Sequence, residues 1–212
     1  MERPDDLHNH ALVARALSCL RHDLLLFEGL GFMLRAGEIL QVRGANGSGK
    51  TTLLRILCGL TMPETGEILW HGKNIHEQRG EYLQELSYIG HLNGVKMELT
   101  ALENLVIAGA LAAGGNGLAY QAVLDKIGLA DHENIPARKL SSGQRRRLAL
   151  ARLLITNTSV WILDEPFTAL DDYGKQVIQD LLIEHAARGG VTILATHEPV
   201  DEQRCPVITL TL

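Results

Sequence analysis

The sequence predicts an α/β fold with a mixed central sheet, an antiparallel β part and an inserted, mostly helical lobe. Three observations predict it. A strand-like run at residues 39–42 leads through a glycine-rich loop into a helical pattern at residues 50–59. Two continuous apolar runs, residues 160–163 and 191–195, lack polar alternation, as parallel strands buried on both faces do. From about residue 78 to 152 the pattern turns helical. A single domain over residues 1–212 follows, with its core at about 1–77 and 153–212 and its lobe at about 78–152.

Residues 12–17 and 24–34 read as strands separated by the polar turn Arg21, His22, Asp23, and Phe27, Leu30, Phe32 and Leu34 keep near period-two spacing. The helix at 50–59 stops at Gly59, with Pro63 just beyond. Residues 67–70 form a strand ending in a His71-Gly72 turn. Residues 81–86, 99–111 and 120–127 read as lobe helices, with a break at the glycines of 114–117. Thr100 and Glu103 have capping-box spacing. Val177, Ile178, Leu181, Leu182 and Ala186 mark one helix face, closed by Gly189-Gly190, and residues 207–212 are a last strand.

The loop between the first parallel strand and its helix is Gly44-Ala45-Asn46-Gly47-Ser48-Gly49-Lys50-Thr51-Thr52, a G-x-x-x-x-G-K-[ST] match in strand–loop–helix context. Its glycines let backbone N–H groups turn towards a polyphosphate, and the helix start adds its dipole. Lys50 suits the β- and γ-phosphates, and the Thr51 hydroxyl suits a Mg²⁺ shell. The run at 160–163 ends in Asp164 and Glu165. At the carboxyl end of a central parallel strand these face a ligand crevice. Asp164 suits Mg²⁺, and Glu165 suits the attacking water. Leu140-Ser141-Ser142-Gly143-Gln144 opens another helix with small residues that favour an anion, and Arg145-Arg146-Arg147 by itself reads as a solvated face.

Composition sets the bounds. The formal net charge is −5 over 212 residues, without the basic face of a nucleic-acid binder, so no nucleic-acid partner is expected. The start is polar and acidic with no signal-like apolar stretch, and no run is long enough to span a membrane. Cys19, Cys58 and Cys205 are scattered and read as small buried hydrophobes in a reducing cytoplasm. His8 and His10 sit in a terminal tail. No C-x-x-C-H motif and no direct haem site are evident.

A phosphate loop, an LSSGQ segment and ILDEP, in that order, resemble the nucleotide-binding domain of ABC ATPases along the whole chain. The resemblance implies Mg²⁺-dependent ATP hydrolysis, a D-loop at Ala169-Leu170-Asp171 and a switch histidine at His197. It also implies a homodimer in which ATP lies between one subunit's phosphate loop and the other's Ser141–Gly143 segment. Three departures stand out. Ser142 replaces the usual glycine. The turn upstream of the loop offers Arg21 or His22, and no aromatic residue, to adenine. Leu92, beside His91, stands where the family's Q-loop glutamine is expected.

More narrowly, Gly90-His91 followed by Gly94-x-Lys96, the segment 99–105, the segment 161–171 and Thr196-His197-Glu198-Pro199 are similar to the CcmA-like haem exporter ATPases of cytochrome c maturation. That resemblance implies integral membrane permease subunits as partners and a peripheral place on the cytoplasmic face of a bacterial inner membrane. The alternatives are the ATPase of another ABC exporter and a soluble, non-transport ABC ATPase.

Overall fold

A computed structural model describes residues 11–21, 24–112 and 119–212. His22, the His8/His10 pair and the glycine break at 114–117 lie outside the described residues.

The antiparallel and parallel strands segregate into two sheets. The first has the order β2-β1-β4-β5, with β1 at Leu12–Arg21, β2 at Leu24–Leu34, β4 at Thr65–Trp70 and β5 at Lys73–Asn74. All its pairings are antiparallel. The second has the order β6-β7-β8-β3-β9 and is parallel throughout. Its strands are β3 (Ile39–Arg43), β6 (Leu86–Ile89), β7 (Val160–Asp164), β8 (Val191–Ala195) and β9 (Val207–Thr211). The helices are α1 (Lys50–Leu57), α2 (Arg79–Gln84), α3 (Ala101–Leu111), α4 (Tyr120–Lys126), α5 (Ser142–Thr156) and α6 (Asp172–Ala187).

The unbroken apolar runs are explained by what covers the parallel sheet. Trp161, Leu163 and Leu194 enter a core shared with α3, α4, α5 and α6. Val160, Ile162, Val191 and Ile193 point the other way, into a core shared with α1 and the antiparallel sheet. Alternate residues serve opposite faces, and because both faces are covered, β7 and β8 are buried at every position.

One element differs from the expectation. The helical reading of residues 81–86 ends early: α2 stops at Gln84, and Leu86–Ile89 is a strand paired in parallel with β7. It is only half-buried, so it lacks the apolar density that marks β7 and β8. The parallel sheet thus reclaims residues 86–89 from the stretch read as lobe. The α3 start conforms: Thr100 and Glu103 form both bonds of a capping box.

His185 closes the far edge of this sheet. It is buried, stacked on Trp161 at 3.7 Å between ring centres and 5° between planes. Its Nε2 donates to the Thr158 carbonyl at 3.0 Å, so its Nδ1 accepts from the Thr192 hydroxyl at 3.1 Å. Burial, with a smaller push from Arg188, pulls its pKa down to about 4. The unfolded chain, titrating near 6.5, therefore takes up this proton first as pH falls. Stability is fully present above about pH 6.5 and declines by about 3 kcal/mol on the way to about pH 4. Urea melts of the wild type and His185→Gln across that range should diverge, the variant losing this part of the slope. Parallel pH dependences would refute the assignment.

Candidate nucleotide site

The parallel register gathers the site. Val42 of β3 pairs with Ala195 of β8, and Ala195 pairs with Asp164 of β7. Ile89 of β6 pairs with Leu163. The loops leaving all four strands therefore emerge at one edge, where open parallel sheets bind ligands. Those after β3, β7 and β6, together with the first hairpin, line a cleft of about 630 Å³. Its walls are Asn46, Gly47, Gly49, Lys50, Thr51 and Thr52 from the phosphate loop, Asp164 and Glu165 from β7, His91 beyond β6, and Arg21, Leu24 and Leu26 from the first hairpin.

Lys50 folds back on its own loop, its Nζ donating to the carbonyls of Gly44 at 2.8 Å and Ala45 at 3.0 Å. Gly49 caps α1 with φ 103°, a left-handed conformation that turns the loop into the helix without a Cβ in the way. The Thr51 hydroxyl donates to Asp164 Oδ2 at 2.8 Å. A hydroxyl and a buried carboxylate, adjacent beneath a phosphate loop, form the all-oxygen donor set that a hard divalent cation takes.

Glu165 has φ 49°, a strained backbone for a side chain of its size. Its N–H donates to the Ala195 carbonyl at 2.8 Å, which fixes it against β8. Its carboxylate is 26% exposed and lies 3.7 Å from Nε2 of His197, which is itself 61% exposed. The turn carrying His197 is anchored from below. Buried Gln41 donates to the Glu198 carbonyl at 2.8 Å, and Lys175 of α6 pairs with the Glu198 carboxylate at 2.6 Å.

Leu140, Ser141, Ser142, Gly143 and Gln144 lie apart from the cleft's walls. Ser141 and Gln144 form a capping box at the start of α5. A Cβ on Gly143 would sit 2.7 Å from the Ala169 carbonyl, so this helix start packs directly on the loop before α6. Asp171, expected in the D-loop, caps α6 by accepting from the Gly174 N–H at 2.9 Å. Of the pair at the expected glutamine position, His91 lines the cleft, whereas Leu92 is 85% exposed and outside it.

The expectation of a solvated arginine run is corrected at two of its three positions: Arg146 and Arg147 are buried. Arg147 lies over the Tyr173 ring at 5.3 Å. Arg146 reaches the carbonyls of Asp164, Glu165 and Pro166. Burial pulls its pKa down while the charges of Asp164 and Glu165 oppose that shift. A signal for it was present. Arg146 precedes the apolar Leu150 and Leu153 by four and seven residues, which places it on the buried stripe of α5. Gln41, a polar residue inside β3, and Asn93 were also missed.

The ABC transporter family model matches residues 27–168. A cytochrome c biogenesis ATP-binding export protein CcmA from Nitrosococcus oceani is 50% identical over 190 residues, covering 90% of this chain and 87% of that protein. One of the same description from Escherichia coli is 47% identical over 202 residues, covering 94% and 96%. The chain belongs to the ABC transporter family, among its CcmA proteins. The fold agrees. A solved ATP-binding subunit of an ABC transporter superposes with a TM-score of 0.79 at 23% identity, over 94% of this chain and 85% of that one. A dimeric ATP-binding cassette holding ADP and phosphate superposes with a TM-score of 0.76 at 22% identity, over 88% of each.

For an ABC ATPase, the cleft makes a direct prediction. Lys50→Ala removes the positive charge at the densest phosphate region. It should abolish binding of a fluorescent ATP analogue, or weaken it by two orders of magnitude or more, since a buried charge contact carries roughly 3–5 kcal/mol. Near wild-type affinity would contradict the placement of the phosphates in this loop.

Proposed function

We propose that this chain is the ATP-hydrolysing subunit of a membrane ABC complex that handles haem during c-type cytochrome biogenesis. The observation that carries the ATPase chemistry is the Thr51–Asp164 contact at the floor of the phosphate-loop cleft. The cytochrome c assignment rests on the likeness to CcmA proteins over nearly the whole chain.

The residues divide the work. On nucleotide binding, Lys50 exchanges the Gly44 and Ala45 carbonyls for phosphate oxygens. Thr51 and Asp164 would hold Mg²⁺, which supplies charge neutralisation on the phosphates. Glu165 orients and polarises the attacking water, and His197, beside it, faces the γ-phosphate. Arg21, Leu24 and Leu26 form the wall beside the base, with guanidinium stacking in place of an aromatic ring. Ser141, Ser142 and Gly143 serve the nucleotide of a second copy of the chain.

Among the described residues no helix is long and apolar enough to cross a membrane. Attachment at the cytoplasmic face of the inner membrane therefore runs through permease subunits. Their docking place is a groove of about 320 Å³ at the lobe, lined in part by Gly94, Lys96, Asn104, Ile107, Leu111 and Arg152. Leu111 there is 82% exposed.

Two experiments test this. Glu165→Gln should keep ATP affinity, lose turnover and accumulate as an ATP-bound dimer on size exclusion without Mg²⁺. A variant that turns over at the wild-type rate would remove Glu165 from its role. Deletion of the gene should abolish covalent haem staining of c-type cytochromes. Normal staining would move the chain to another ABC exporter.

A further inference from the structure

Arg146 uses its whole guanidinium. Nε donates to the Pro166 carbonyl at 3.3 Å. One terminal nitrogen, Nη2, donates to the carbonyls of Asp164 at 2.7 Å and Glu165 at 2.9 Å. The other, Nη1, donates to the Gly90 carbonyl at 3.0 Å and to Asn93 Oδ1 at 2.9 Å. Five N–H groups thus meet five acceptors, the full capacity of an arginine. None of the acceptors is a carboxylate, so the group does not serve as an ion pair. It gathers two segments: the end of β7 with its two acidic residues, and the loop after β6 that brings His91 to the cleft.

The loop end of this web continues outward. Arg152, one of the groove residues, reaches the Asn93 carbonyl at 3.4 Å. Asn93 thus stands between the groove and Arg146. At the other end Glu165 holds a left-handed backbone, and such strain persists only where neighbours hold it in place.

We infer that Arg146 is a positioning residue for hydrolysis: its planar fork ties the 90–93 loop to the carbonyls of Asp164 and Glu165, so that a displacement of the loop is carried to the Glu165 carboxylate. The inference rests on the reading of Glu165 given above. Lysine would keep the charge, but its three N–H donors radiate from one nitrogen and cannot span both segments. Phosphoryl transfer depends mainly on positioning, so a small displacement of Glu165 lowers the rate while leaving the phosphate loop, and nucleotide affinity, alone.

The test is a double-mutant cycle on the full chain, with steady-state ATPase, ATP-analogue binding and thermal melting read together. Arg146→Lys should lower kcat roughly ten-fold or more. Asn93→Ala, which removes only the loop-side acceptor, should lower kcat about three-fold. Both should leave ATP affinity within about two-fold of wild type, the pattern of an interaction lost from the transition state alone. Asn93→Asp keeps an acceptor for Nη1 and should retain kcat. The double variant should match Arg146→Lys alone, because the loop contact acts through the arginine. Losses that multiply in the double variant, or wild-type kcat in Asn93→Ala, would overturn the inference. If Arg146→Lys does not fold, the contrast between Asn93→Ala and Asn93→Asp decides it alone. Glu165→Gln run alongside separates the two readings. Wild-type turnover there removes Glu165 and this inference together, whereas a dead Glu165→Gln beside an unaffected Asn93→Ala removes only the inference.

Discussion

The parallel register of β3, β8 and β7 is the constraint on which everything else depends. It sets Val42, Ala195 and Asp164 in one row. The three loops that follow then leave a single edge: the phosphate loop, the His197 turn and the segment beginning at Glu165. None of them is near another in sequence. Parallel strands require crossovers and cover on both faces, which is why helices flank the sheet and why β7 and β8 are buried at every position and mostly apolar. The chemistry sits at the edge because only there does the buried run release side chains into an open cleft.

An edge of this kind leaves carbonyls that the sheet no longer pairs, and buried side chains collect them. Gln41 takes the Glu198 carbonyl beneath the His197 turn. Arg146 takes those of Asp164, Glu165 and Pro166. Buried polar groups left without partners are costly, so these side chains are needed for the loops to adopt their conformations at all. The same bonds leave the loops little freedom to drift. On the roles proposed for Glu165 and Arg146, structural satisfaction and catalytic alignment are the same set of hydrogen bonds, seen from the two ends.

What could be read from the sequence divides along this line. The phosphate loop was legible because its glycines, Lys50 and Thr51 are contiguous and their conformations are local. The β7 and β8 runs were legible because burial on both faces leaves an unmistakable composition. β6 was not, since at the sheet edge Leu86, Ser87 and Tyr88 are only half-buried and their short run follows a helix without a break. Arg146 and Gln41 were not, because a charged or amide side chain announces solvent unless the tertiary partners are known, and those partners lie up to 157 residues away. The pairing of His91 and Leu92 needed the same information. Only with β6 in register does the chain turn so that His91 meets the cleft and Leu92 faces outward.

The signature segment shows how the fold separates two demands that a sequence motif merges. Gly143 is required by this subunit itself, because a Cβ there would collide with the Ala169 carbonyl at 2.7 Å, and Ala169 holds a left-handed φ of 65°. The neighbouring position makes no such demand. Ser142 is exposed, in the first turn of a helix already capped by Ser141, and it fits without distorting α5. A glycine at position 142 is therefore not needed for folding. Whatever limits the side chain at 142 must come from a surface that approaches the helix start from outside. Serine at that point adds an exposed hydroxyl beside the capped start of α5, free to donate or accept a hydrogen bond with such a surface.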